Sequence, residues 1–338
     1  MANGKLLRQL IRSGAEGDVE AFRGTAKAVI AEERQKQHHL LANDLETILY
    51  GRPRTPASPA VRKLAGDVPQ DRERGLPLLA VREPARGLED IVLSPANRSL
   101  VEELLREQNR EEVLLAHGLR PSDRVLLCGP PGCGKTLTAE VIAFELGRPL
   151  AIVRTDSVVS SFLGETAANL RKVFDFIAAH PLVALFDEFD ALGKEREDPS
   201  EHGELRRVVN AVLQMLDAYG GRSILVAATN HDGMLDSAVW RRFEEVLFLR
   251  PPTAAQVRRL LSVKLRGVRY DFDIKEVVER GWFADATHAD VERVVRRAVK
   301  AMVLEGGETR LRLDHLDAAR RRALAELQRV GRRAETKS

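Results

Sequence analysis

Residues Gly129-Pro130-Pro131-Gly132-Cys133-Gly134-Lys135-Thr136 match G-x-x-x-x-G-K-[ST], and few short patterns restrict a fold as strongly. Arg124-Val125-Leu126-Leu127-Cys128 before them reads as a buried strand. Thr138 to Leu146 after them, poor in breakers until Gly147, reads as a helix. Strand, glycine-rich loop and helix in that order make a phosphate cradle. The glycines let successive backbone N–H groups turn inward, and the helix N-terminus adds the positive end of its dipole. Lys135 is placed to reach β- and γ-phosphates, and the Thr136 hydroxyl to hold Mg²⁺.

Two later runs supply partners for this loop. Leu182-Val183-Ala184-Leu185-Phe186-Asp187-Glu188 is a near-continuous apolar strand closed by two carboxylates. Unbroken hydrophobicity suits a central strand of a parallel sheet covered on both faces. Its carboxyl end is where open α/β sheets bind ligands. There Asp187 is expected in the Mg²⁺ shell, and Glu188 is expected to polarise an attacking water. Ser223 to Ala228 reads as another buried strand, ending at Thr229-Asn230, where a short amide can orient that water or touch the γ-phosphate. Taken alone, such an Asn is an ordinary turn residue. Pro149 to Val153 and Val246 to Leu249 are further strand candidates. Arg241-Arg242, far from the loop in sequence, make sense as fingers reaching the γ-phosphate of a neighbouring subunit; a surface ion pair is the plainer reading.

The rest of the chain divides by composition. Residues 1–50 read as two or three helices, with stripes at Leu6, Leu7, Leu10 and Ile11, at Val19, Phe22, Ala26, Val29 and Ile30, and at Leu41, Leu45, Ile48 and Leu49. Such a unit suits docking of a protein partner or substrate, or a purely structural or oligomer-stabilising role. Residues 51–86, with Pro53, Pro56, Pro59, Pro69, Pro77 and Pro84, read as a semi-extended linker. Residues 87–250 hold the sheet, with one helix expected from Pro95 to His117. Residues 251–338 read as a helical lid. Thr253-x-x-Gln256 and Thr287-x-x-Asp290 resemble capping boxes, and Val291, Val294, Val295, Ala298 and Met302 share one helix face. Asp314 is a candidate cap for a last helix, which ends in a cluster of arginines.

No apolar run approaches the roughly 20 residues of a membrane span, and the N-terminus lacks a signal-peptide core. The two cysteines, Cys128 and Cys133, lie in or beside the loop without the company of metal ligands. A reducing cytoplasm is the expected location. A net charge of +3 is too small to argue for nucleic acid by itself.

In order and spacing, Gly129–Thr136, Leu185–Asp190, Ala227–Asn230 and Leu235–Phe243 resemble an AAA+ ATPase. The likeness is to the branch that includes katanin, spastin and the proteasomal and metalloprotease unfoldases, over about residues 88–305. It implies a five-stranded parallel sheet between helices, a C-terminal helical lid, a small N-terminal helical domain, and a ring, usually a hexamer, with ATP and Mg²⁺ at subunit interfaces. It assigns Gly129 to Thr136, Leu137, Asp187, Asp90, Ile91 and Ala289 to nucleotide binding, Asn230 as a sensor, and Arg241 and Arg242 as trans-acting fingers. Ser161-Phe162-Leu163-Gly164 resembles that branch's pore loop, in which an aromatic side chain grips polypeptide. Two departures stand out. Arg-Arg-Phe-Glu replaces a longer arginine motif, leaving the principal finger open, and His288 stands at a glycine position.

The function expected is an ATP-driven protein remodeller or unfoldase. With no His-Glu-x-x-His in the chain, any proteolysis needs a separately encoded peptidase. A nucleic-acid-bound AAA+ protein (a transposition helper or loader) and an ATP-dependent assembly switch are the alternatives.

Overall fold

The apolar runs become parallel strands, and those inside the sheet are covered on both faces. In the computed structural model β1 is Leu79–Arg82, β2 Arg124–Cys128, β3 Leu150–Val153, β4 Val183–Phe186, β5 Ile224–Thr229 and β6 Glu245–Phe248. The sheet order is β1-β3-β4-β5-β2-β6. Successive side chains of a strand point to opposite faces. Thus Leu126, Ala184 and Ala227 enter one core, with Leu170, Val173 and Ile177 of helix Leu163–Ala179. Val125, Leu127, Val183, Leu185 and Val226 enter the other, with Leu104 and Leu105 of helix Pro95–Asn109 and Ala139 and Ile142 of helix Lys135–Glu145. Cys128 and Cys133 are both buried but belong to different cores, so no disulfide joins them.

The structure describes residues 24–26, 28, 29, 32, 61, 64, 66–72, 74–158, 163–189, 211–231, 233, 237–305 and 310–335. They fall into two units, Pro56–Gln256 with Thr287–Ala289, and Met1–Thr55 with Val257–Ala286 and Asp290–Ser338. Most of the N-terminal stripes lie outside the described residues; Val29 is helical and buried.

Two departures from expectation have local causes. Within the stretch read as linker, Leu79–Arg82 pairs antiparallel with β3 (Leu79 opposite Val153, Arg82 opposite Leu150), so a sixth strand joins the five parallel ones. Leu78 and Leu79 are wholly buried, which explains why this short segment adopts a strand among prolines. The single helix expected from Pro95 to His117 breaks at Arg110 (φ −118°, ψ 28°) into Pro95–Asn109 and Glu111–Ala116. Just before the break, Glu107 accepts from the Ser122 N–H (2.8 Å) and Gln108 donates to the Ser122 carbonyl (2.8 Å), tying the helix end to the lead-in of β2.

One buried carboxylate needs an explanation. Glu140, 5% exposed on the P-loop helix, accepts from Ala85 N–H (3.2 Å) and from Arg86 Nε (3.2 Å) and NH2 (2.5 Å), with Arg82 at 3.6 Å. Burial alone would push its pKa up; the Arg86 hydrogen bonds, the Ala85 N–H and the two guanidinium charges outweigh that and hold it below the ordinary 4.5. Its contribution to stability is therefore complete above that ordinary value and fades as pH falls through the lowered one.

In the second unit, Val291, Val294, Val295, Ala298 and Met302 are the buried face of helix His288–Glu305, as their spacing predicts. Asp314 lies inside the first turn of helix Leu313–Glu335 rather than capping it. Arg320 and Arg321 both pair with Asp317 (2.8 and 2.6 Å), and Arg322 faces Glu326 at 3.5 Å. Two carboxylates of the same helix thus meet three of its arginines, and Glu326 also accepts from Arg297 at 2.8 Å. Among the described residues no helix is long and apolar enough to cross a membrane.

Candidate nucleotide site

Sheet order brings the sequence motifs together. Strand β5 lies between β4 and β2, so three parallel carboxyl ends emerge side by side: Asp187-Glu188 after β4, Asn230 after β5, and the glycine loop after β2. Lys135 Nζ donates to the Gly129 carbonyl (2.5 Å), the Pro130 carbonyl (3.0 Å) and Asn230 Oδ1 (2.7 Å). The ammonium is 7% exposed, so these acceptors offset its burial. Binding a phosphate at Lys135 requires exchange of at least one of them, and Asn230 is the acceptor carried on a separate strand.

The loop's shape depends on glycine at two places in particular. Gly129 (φ 145°) donates its N–H to the Thr229 carbonyl (3.2 Å), and a Cβ there would sit 1.9 Å from the Leu249 carbonyl oxygen. Gly132 (φ 79°) has Thr287 Oγ1 2.7 Å from where its Cβ would be, and its carbonyl accepts from Ala289 N–H at 3.0 Å. Thr287–Ala289 thus sits directly on the loop, bringing Ala289, assigned to nucleotide binding by resemblance, beside it. Helix Lys135–Glu145 starts at Gly134, whose carbonyl accepts from the Thr138 N–H (2.8 Å) and hydroxyl (2.9 Å).

Thr136 Oγ1 donates to Asp187 Oδ2 at 3.1 Å. A hydroxyl and a carboxylate so close are hard oxygen donors. They fit Mg²⁺, which takes one or two protein oxygens and fills its octahedron with water and phosphate. Among the described residues no group of three or more His, Cys, Asp or Glu could hold a metal. The other Asp187 oxygen accepts from the Glu188 N–H at 3.0 Å. Glu188, exposed, is the one non-glycine residue with positive φ (51°) among those described. For a residue with a Cβ that conformation costs about 1–3 kcal/mol and persists where the surroundings impose it.

Asp90 is used locally: its carboxylate accepts from Gly87 N–H (3.0 Å) and its own N–H donates to the Gly87 carbonyl (2.9 Å). Ile91 is buried. Phe162 lies outside the described residues, and Leu163 and Gly164 are the first residues of helix Leu163–Ala179. Leu235 and Asp236 also lie outside them.

The two arginines separate cleanly. Arg242 donates to Asp217 Oδ2 through Nε (3.1 Å) and NH2 (2.9 Å) and to the Ala238 carbonyl through NH1 (2.6 Å). Arg241 is exposed and makes no such bond among the described residues. Both precede β6, which runs parallel to β2 with Val125 opposite Glu245 and Cys128 opposite Phe248. Their neighbours are held by ring contacts, Trp240 on Phe248 (6.0 Å) and Phe243 on Phe189 (6.0 Å).

A mostly parallel sheet with a glycine-rich loop, a hydroxyl–carboxylate pair and a strand-end amide at one edge defines a P-loop nucleoside-triphosphate protein. Residues 125–251 match the profile of the ATPase family associated with various cellular activities (AAA). The chain is 43% identical over 306 residues to the uncharacterized AAA family ATPase y4kL of Sinorhizobium fredii, over 90% of this chain and 91% of that protein. It is 31% identical over 194 residues to Protein SAV of Sulfolobus acidocaldarius, over 55% of this chain and 25% of that protein. The chain belongs to the AAA family of ATPases.

Glu140 carried no signal as part of a motif. A single acid among Ala139, Val141, Ile142 and Ala143 is the trace it leaves in the sequence.

Proposed function

We propose that this protein hydrolyses Mg²⁺-bound ATP at sites shared by neighbouring copies of a ring, probed most simply as a hexamer, and uses the cycle to remodel protein substrates. The loop amides and Lys135 hold the phosphates. Thr136 and Asp187 hold Mg²⁺, which when bound screens the phosphate charge. Glu188 accepts the proton of the attacking water, Asn230 orients that water, and Arg241 of the adjacent copy meets the γ-phosphate. Asp90, Ile91, Leu137 and Ala289 form the nucleoside side. The observation that carries this reading is the meeting of Lys135, Thr136, Asp187 and Asn230 at the carboxyl ends of adjacent strands. Arg241, exposed and without a hydrogen bond among the described residues, is read as serving a neighbour's site. Phe162, Leu163 and Gly164 form the segment that grips polypeptide, residues 1–50 dock the partner, and a separate peptidase is one partner such a machine serves. The cytoplasm is the proposed location.

Glu188→Gln tests the chemistry and the substrate class together. Glutamine keeps the shape but cannot take a proton, so ATP stays bound while hydrolysis falls by about 10²–10⁴-fold, the usual contribution of a positioned base. Single-turnover hydrolysis beside nucleotide titration reads both. The same variant, expressed in the source cells, retains its substrate. A protein captured by Glu188→Gln and lost from Glu188→Gln/Phe162→Ala supports threading. A protein captured equally by both marks docking or gating instead. Recovery dominated by nuclease-sensitive DNA or RNA, with steep salt dependence, would replace remodelling by the nucleic-acid reading.

A further inference from the structure

Residues 69–72 and 74–90 form a strap. At its start, Leu78 N–H donates to the Pro69 carbonyl and Asp71 N–H to the Leu76 carbonyl (both 2.9 Å), closing a narrow loop. Asp71, 6% exposed, accepts from Asn169 Nδ2 (3.3 Å) and from Arg74 N–H (3.0 Å); Asn169 is 2% exposed. Lys172 donates to the Gln70 carbonyl at 2.9 Å. This end of the strap is therefore fixed to helix Leu163–Ala179. Its middle is β1, hydrogen-bonded to β3. Its far end is fixed to the P-loop helix by Glu140, and again where Leu88 N–H donates to Glu145 Oε1 at 2.8 Å.

Nearly buried carboxylates thus stand at both ends, one supplied by the strap and one by the helix it meets. Burying a carboxylate is costly, and replacing such groups with apolar side chains is often neutral or stabilising. Their directional bonds do something packing alone does not: they select one position. Glu140 lies on the same helix as Lys135 and Thr136, and that helix is buried along Thr138–Ala143. A shift of Glu140 relative to the strap is a shift of the phosphate-binding residues.

We propose that Glu140 is a positioning residue for the nucleotide site, and that the strap it anchors ties the P-loop helix to helix Leu163–Ala179 by a route outside the parallel strands. The proposal rests on nucleotide binding at the P-loop. Resetting of Lys135 and Thr136 on a nucleotide moves the helix, Glu140 carries the strap with it, and Asp71 passes the change to Asn169. That helix begins at Leu163, so its position sets the base of the segment proposed to grip polypeptide.

The experiment is amide hydrogen exchange on the full chain with and without saturating Mg-ADP, beside nucleotide titration and thermal unfolding. In the wild type, nucleotide is expected to slow exchange both in 79–90 and in 163–179. In Glu140→Gln the slowing in 163–179 is lost at saturation, and the nucleotide Kd rises about tenfold. Glu140→Met/Arg86→Met removes the buried charge together with the nearer of its two guanidinium partners, leaving the half-exposed Arg82 to water. It is expected to regain the thermal stability lost in Glu140→Gln without regaining either coupling or affinity. A purely structural Glu140 gives the opposite result: affinity and exchange in 163–179 unchanged below the unfolding transition, or both restored with stability in the paired variant. Either outcome overturns the proposal. Absence of nucleotide binding in the wild type would overturn the site reading and this proposal with it, whereas normal wild-type binding with unaltered coupling in Glu140→Gln overturns this proposal alone.

Discussion

Arg241→Ala is expected to lower ATP turnover in the assembled protein by about 10³–10⁵-fold, the range over which a trans-acting arginine accelerates other nucleoside triphosphatases. Its own folding and its own affinity for nucleotide should change little. The side chain is exposed and makes no hydrogen bond among the described residues, and exposed substitutions away from such bonds fall within about 0.5 kcal/mol. Arg242→Ala is the informative companion. It removes the bonds to Asp217 and the Ala238 carbonyl, so its first effect is on stability, about 1 kcal/mol or less for a pair open to water. Turnover per copy, measured at concentrations where the protein assembles and alongside chemical denaturation, separates the two. A collapse of turnover in Arg242→Ala with Arg241→Ala near normal would reverse the assignment.

The second large effect is at Gly129. Gly129→Ala places a methyl group 1.9 Å from the Leu249 carbonyl oxygen, a backbone atom whose residue donates its N–H to Cys128 at 2.7 Å. Neither side can yield without separating β2 from β6. The expected loss exceeds about 4 kcal/mol, beyond what a typical single substitution produces. Gly134→Ala is the control: its φ of 97° is equally foreign to alanine, yet no atom lies within 4 Å of the new methyl. Backbone strain alone then costs about 1–2 kcal/mol. Equilibrium denaturation of both variants distinguishes collision from strain, and equal losses would show that Leu249 moves aside.

What could be read from the chain beforehand follows from how local each cause is. Strands β2 to β5 are legible because central parallel strands must be apolar on both faces, and Val125–Cys128 or Ile224–Ala228 leave no other use for such runs; β6, at the sheet edge, shows in the sequence as the short apolar run Val246–Phe248. The reciprocal bonds of Thr253 and Gln256 (2.9 and 3.4 Å) were legible because a capping box lies within four residues. The meeting of Lys135, Thr136, Asp187 and Asn230 follows from motif order combined with sheet order. Strand β1 was not legible: Leu-Ala-Val-Arg among prolines becomes a strand only by pairing with β3. The helix end just before Arg110 is held by Ser122, and the difference between Arg241 and Arg242 depends on Asp217. Glu140 was hidden for the same reason, since its partners lie 54 and 55 residues away. In each case the missing information was a distant partner.

The proposed service of Arg241 to a neighbouring copy also has a genetic meaning. On that reading a chain lacking Arg241 silences the adjacent copy's site while its own remains serviceable, and a chain lacking Glu188 does the reverse. Two inactive alleles of these kinds should therefore complement one another when co-expressed. With random head-to-tail mixing in equal amounts, about a quarter of interfaces combine an intact Glu188 with an intact Arg241. Either allele beside the normal gene should act as a partial poison, because inheritance of the defect is expressed at the neighbour.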